Sequence, residues 1–288
     1  MIWPEDEWRV RAGDHAQRAD TWITPHLERR RRGIKHPVMD FLFDYYPYSP
    51  GRLRTWHPGL GHVLTGEWKP PSNASSYVRV DDGWAVDPQR ADRARLSLAI
   101  RILSGTQVRA PQHSCFGMHE WAMVYRLPTD AVRHSHESLR LPPEDIAKAV
   151  DDVGLRCTHI DAYRFFTAEA SDMNALVPTR DNQPDLEQPG CIHANMDLFK
   201  YSMWFQPFVP GDLVLDCFDL AGHAREIDMR ASPYDLADAG YPPIAVETPE
   251  GRREYAKAQR DIADLAGPMR MELLAALDRV AATPVPST

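Results

Sequence analysis

Long apolar runs are absent: no stretch of about 18 consecutive apolar residues occurs, so nothing reads as a membrane span. Cysteine is scarce. Cys115, Cys157, Cys191 and Cys217 stand far apart with no CxxC pair, which excludes a zinc knuckle or a dense disulfide frame and implies reduced thiols in a cytoplasmic protein. Glycine-rich phosphate loops and dinucleotide-binding fingerprints are missing. His119-Glu120 begins a metalloprotease-like HExxH pattern, but position 123 is Met123. Positive charge is in deficit, with 33 lysines and arginines against 41 aspartates and glutamates and a net charge of −8. That argues against a general polyanion binder and leaves only local basic patches to hold a phosphate. The first residues, Met-Ile-Trp-Pro-Glu-Asp-Glu, are acidic and contain no apolar run, unlike a secretory signal. No internal repeat is visible.

The remaining composition, 43% hydrophobic and 26% charged over 288 residues, is that of an ordinary globular protein able to bury a sizeable core. The expected fold class is α+β, predominantly helical, with a small antiparallel β region. A single domain is expected over 1–288, comprising an N-terminal helical segment (1–58), a β-hairpin region (61–86) and a helical catalytic body (87–282). A charged helix over 5–32 would bury Trp8, Ala12, Ala16, Ala19, Trp22 and Ile23, with a kink or restart at Pro25. Its closing Arg29, Arg30, Arg31 and Arg32 suit the negative end of a helix dipole. Asp81-Asp82-Gly83 between two short apolar runs signals a hairpin. Asp87-Pro88 should open a helix ending at Gly105. Strands are expected near 132 and 156, and Ser232-Pro-Tyr-Asp should start a helix. The last helix, 248–280, should kink or divide at Gly267-Pro268.

The segment 188–201 organises the rest. After the turn residues Pro189 and Gly190, Ile192, Met196, Phe199 and Met203 recur at helical spacing. One residue round, His193, Asp197, Lys200 and Trp204 form a second column of base, carboxylate, cation and aromatic. The middle third is dense in histidine: His113, His119, His134, His136 and His159 precede His193. His134 with His136, and His159 with Asp161, are two apart and share a side if the backbone is extended.

Three chemistries stay open on these residues. In the first, imidazoles and carboxylates drawn from His113, His119, Glu120, His134, His136, His159, Asp161, His193 and Asp197, with His119, His134, His136 and His159 foremost, bind zinc or iron in an enzyme acting on a small molecule. In the second no cofactor is needed. Glu120, Asp161 or Asp197, with His193, activates water; Arg126, Arg164, Arg180, Lys200 and Asn195 hold the substrate; Trp121 and Tyr163 cover a ring. In the third, Cys115 or Cys191 acts as a nucleophile beside a histidine.

Long motifs add a resemblance. Lys35-His-Pro-Val, Trp56-His-Pro-Gly, Cys115-Phe-Gly-Met-His-Glu-Trp-Ala-Met-Val-Tyr-Arg, Cys157-Thr-His-Ile-Asp-Ala-Tyr-Arg-Phe-Phe, Pro189-Gly-Cys-Ile-His-Ala-Asn-Met-Asp-Leu-Phe-Lys and Asp228-Met-Arg-Ala-Ser-Pro-Tyr-Asp are spread over nearly the whole chain. Together they resemble an actinobacterial family that carries the name 3-methyladenine DNA glycosylase. The resemblance implies a hydrolase of base-excision DNA repair that releases alkylated purines. Its partner would be damaged DNA or a nucleobase-like small molecule, with no membrane and no protein partner to infer. Such a base must leave the stack and enter a pocket. Asp197 or Glu120 would steady the developing oxocarbenium ion, and Trp121 and Tyr163 would stack on the base.

Overall fold

The computed structural model describes residues 1–67, 70, 75–128 and 137–283. In chain order they form β1 (Ile2–Trp3), α1 (Glu5–Arg31), α2 (Phe41–Tyr45), α3 (Pro50–Arg54), β2 (Val63–Leu64), β3 (Tyr77–Val80), β4 (Gly83–Val86) and α4 (Arg93–Val108). There follow α5 (Met118–Ala122), α6 (Pro143–Val153), α7 (Ile160–Tyr163), α8 (Ala168–Met173), α9 (Gln183–Leu186), α10 (Ile192–Trp204), α11 (Gly211–Arg230) and α12 (Pro249–Ala281). The fold is α+β and mainly helical, as expected. Among the described residues, no helix is long and apolar enough to cross a membrane.

Several local expectations change. The hairpin forms around Asp81 and Asp82, pairing Tyr77 with Val86 and Val80 with Gly83. The sheet is mixed rather than antiparallel, because β1 joins β2 in parallel to give the order β1-β2-β4-β3. Asp87 caps only a 3-10 turn, its side chain accepting from Gln89 N, and α4 starts later and runs through Gly105. Near 156 there is an isolated bridge between Leu155 and Asn174 instead of a strand. The region near 132 lies outside the described residues. Ser232 does not start a helix: the next residues are drawn into a bridge between Leu139 and Tyr234. Pro25 and Pro268 both sit inside continuous helices.

The chain divides into two compact units, Met1–Ser104 with Asp197–Gly222 and Pro268–Thr288, and Gly105–Met196 with His223–Gly267. In the first, Trp8, Trp56 and Leu64 form an apolar cluster that Trp3 and Ala12 pack against. The expected α1 seam is present, and it carries two buried histidines, His15 and His26, that apolar periodicity does not reveal. In the second, Trp121 is fully buried, donates from Nε1 to Ala231 O at 2.8 Å, and lies under the Arg140 guanidinium. Gly190 allows a close approach, since a Cβ there would lie 2.5 Å from Gln112 O. The Gln188 side chain locks the same turn, with Oε1 accepting from Gln112 N and Gly190 N, each at 2.7 Å. This turn launches α10.

Candidate active site

Four helices contribute side chains to one buried cluster in the second unit. At the entry to α5, Phe116 (φ 49°) and Gly117 (φ 72°) take left-handed conformations, and Met118 N donates to Cys115 O at 2.9 Å. A side chain at 117 would also press on Tyr255 Cζ and Ala231 Cβ, both 3.2 Å from an added Cβ. The tight turn sets Cys115 beside His119, both lining one cleft, and the thiol helps to raise the His119 pKa. His119 Nε2 lies 2.7 Å from Asp228 Oδ1 of α11. Asp228 is held in turn by Arg225, whose Nη1 donates to Asp228 Oδ2 at 3.2 Å and to Glu120 Oε1 at 3.1 Å. From α12, Gln259 Nε2 donates to Gly190 O at 3.1 Å and meets Cys115 Sγ at 3.5 Å. His193 of α10 stands edge-on to His119, with ring centroids 4.5 Å apart, and His159 stacks behind His193 at 5.4 Å.

The cluster has a closed end and an open end. Asp228 and Arg225 are sealed, at 0% and 1% exposure, whereas Cys115 is half-buried and the His193 side chain is 17% exposed. Cys115, His119 and His193 line a narrow cleft together with Arg156, Thr158 and Gln188, with room for about one water. A larger groove, about 220 Å³ beside Trp8 and Trp56 in the first unit, is walled mainly by apolar and aromatic side chains and has no nucleophile or ligand set.

Two carboxylates face one guanidinium here, leaving a negative charge to be met. His119 meets it: burial disfavours its imidazolium, but the Asp228 carboxylate outweighs this, aided by Cys115 and Glu120, and raises its pKa well above the ordinary value. Burial also opposes the ionised form of Asp228, yet His119, His193 and Arg225 hold its carboxyl well below the usual range. Desolvation pushes the Cys157 thiol up to about 11 and the Cys191 thiol well above its ordinary value. These two are inert core thiols. Tyr255 Oη and Gln259 Oε1 are buried and, among the described residues, without hydrogen-bond partners.

The residues singled out from sequence fall in several places. His119, Glu120 and His193 converge. His159 is close by but turns its Nε2 to Glu187, at 3.2 Å. Asp161 is gripped by Arg180 and by Arg164, whose Nε is 3.3 Å away, so these three residues engage one another. Asp197 belongs to the first unit, where Tyr46 Oη donates to it at 3.0 Å and Lys200 pairs with it. Arg126 is exposed and paired with Glu169 and Asp151. Tyr163 donates to Ser171 O, and the buried Asn195 donates to Pro189 O. Trp121 is a core residue. His134 and His136 lie outside the described residues.

Sequence reasoning missed Arg225, Asp228, Tyr255 and Gln259. A signal for Asp228 existed: it stands four residues after Ala224 and one after Ile227, on the buried side of α11. As potential metal ligands, His119, His193 and Asp228 offer atoms that all lie within 4.8 Å of one another. No protein-family model, curated protein or solved structure matches this chain.

Proposed function

We propose that the protein is an enzyme of the hydrolase class that works through a covalent intermediate on Cys115. What supports this reading is the alignment of Cys115 beside His119, itself hydrogen-bonded to Asp228, with the thiol at the cleft and the carboxylate end sealed. Nucleophile, base and orienting acid in that order are the elements of triad chemistry. The reacting form pairs a Cys115 thiolate with the His119 imidazolium that Asp228 stabilises. Sγ attacks an electrophilic carbon of the substrate, and the imidazolium returns the proton to the leaving group. Water, deprotonated by the now neutral His119, then cleaves the bond to sulfur and restores the thiolate and imidazolium. Asp228 is a positioning residue that holds the imidazole, and Arg225 with Glu120 fixes Asp228. Gln259 steadies the sulfur.

Release of an alkylated base, the chemistry that the motif resemblance implies, needs a pocket for an extruded purine. The cleft has room for about one water, and Glu120, Asp161 and Asp197 are each paired with a cation. A covalent route asks only that a small electrophilic group reach Sγ. The test uses p-nitrophenyl acetate and methylated DNA side by side. Acetylation confined to Cys115, lost in Cys115→Ser, supports the reading. Base release that persists in Cys115→Ser would overturn it and favour carboxylate-activated water.

A further inference from the structure

His193 has no task in that relay, yet it stands against it. Its Nε2 is 3.8 Å from Asp228 Oδ2, while His119 Nε2 is 2.7 Å from Oδ1 of the same carboxylate. Two imidazoles and a carboxylate thus converge from α5, α10 and α11. A tetrahedral or octahedral ion with bonds of ~2.1 Å needs ligand atoms about 3.0 to 3.5 Å apart. The three ligand atoms lie within 4.8 Å of one another, so His119 and Asp228 would part slightly and His193 would move inward to complete the set. An outer contact of the kind that orients metal ligands is in place, because Arg225 donates to Asp228 Oδ2. The negative charge that the His119 proton balances would be met by the cation once that proton leaves. His193 also gives access, being the partly exposed member of the set.

We propose that His119, His193 and Asp228 form a site for a divalent transition-metal ion of the Zn²⁺ and Fe²⁺ class, with its remaining positions turned to the cleft. Imidazole and carboxylate ligands suit that class, and a set of three leaves room for exchangeable ligands. The site uses His119 and Asp228 in place of their mutual hydrogen bond. An ion bound there takes the base away from Cys115, so metal occupancy controls the thiol. The ion site goes beyond the covalent reading and stands without it, while control of the thiol rests on that reading.

The experiment starts from full-length protein stripped with EDTA and then freed of chelator. Zn²⁺ is titrated against a chromophoric competitor, and Co²⁺ is followed by its visible absorption. One equivalent should bind, His193→Ala should weaken binding at least about tenfold, and Cys115→Ser should leave it intact. Zn²⁺ should also slow iodoacetamide modification of Cys115 about tenfold or more in the wild type but not in His193→Ala. Absence of saturable binding, or equal affinity in wild type and His193→Ala, would overturn the site. Binding lost in Cys115→Ser would place the ion on the thiol and overturn it equally. Metal binding that depends on His193 but leaves Cys115 modification unchanged would refute control of the thiol. A relay failure shows separately, as Cys115 modification indifferent to His119 in metal-free protein.

Discussion

His26 with Asp40 in the first unit and His119 with Asp228 in the second are both buried imidazole–carboxylate pairs, at 2.9 and 2.7 Å. Their surroundings separate them. Around Asp40 the account is complete: Oδ1 accepts from His26 and Arg29, Oδ2 from Arg29 and His36 N, and one carboxylate faces one guanidinium. His26 packs flat on Phe43 at 4.3 Å. Around Asp228 there is surplus: a second carboxylate, a thiol on the imidazole, a second histidine, and two buried polar atoms without partners among the described residues. A satisfied pair is sufficient to hold a fold together. One at a cleft, with further polar groups left over beside it, is where ligands and chemistry have something to do.

Removing the two carboxylates breaks the comparison most sharply. Asp228→Ala strips the buried His119 of its carboxylate partner and takes one of two carboxylates from the sealed Arg225, and should cost about 3–5 kcal/mol in chemical denaturation. Asp40→Ala should cost about 1–3 kcal/mol, because the Arg29 side chain is 20% exposed and can return to water. Equal losses at the two sites would remove the distinction.

Acid sharpens the contrast. Burial raises the Asp40 pKa, but Arg29 and His26 more than compensate and hold its carboxyl below the ordinary range. A carboxylate so depressed contributes stability above its unfolded pKa and loses it as pH falls through the folded value. The gap between wild type and Asp40→Asn should therefore be full at neutral pH and close below about pH 4. A gap independent of pH would contradict the pairing.

Smaller effects come from the turn and from the unpartnered hydroxyl. Gly117→Ala meets both a left-handed φ and two contacts at 3.2 Å, so a loss of about 1–3 kcal/mol is expected in thermal unfolding. Tyr255→Phe removes a buried hydroxyl that has no partner, so stability should stay level or rise by up to about 1 kcal/mol. A clear loss in Tyr255→Phe would mean that the hydroxyl is satisfied after all.

Much of the helical frame was legible in the sequence, because helix signals are local. The seam of α1, the stop of α6 at Gly154 and the apolar column of α10 follow from spacing and breakers. The strand expected near 156 failed because one bridge to Asn174 satisfied the backbone there instead. Within the site, the α5 and α10 histidines could be named, since histidine in an apolar setting is conspicuous. Arg225 could not, and Asp228 showed only as a carboxylate on the buried side of α11. Three apart on a helix they read as an ordinary surface ion pair, and only tertiary packing seals them against Glu120 and His119. Conversely, Asp197 looked catalytic by its column on α10, yet Tyr46 and Lys200 engage it in the first unit.

The most direct measurement is the rate of Cys115 alkylation by iodoacetamide, mapped by peptide mass, in EDTA-treated wild type and His119→Gln. Wild-type protein should label Cys115 at least about 100-fold faster than the variant, while the buried Cys157, Cys191 and Cys217 stay unmodified until denaturant is added. Equal Cys115 rates in the two proteins would contradict the relay and reduce His119 and Asp228 to a second structural pair like that of His26 and Asp40.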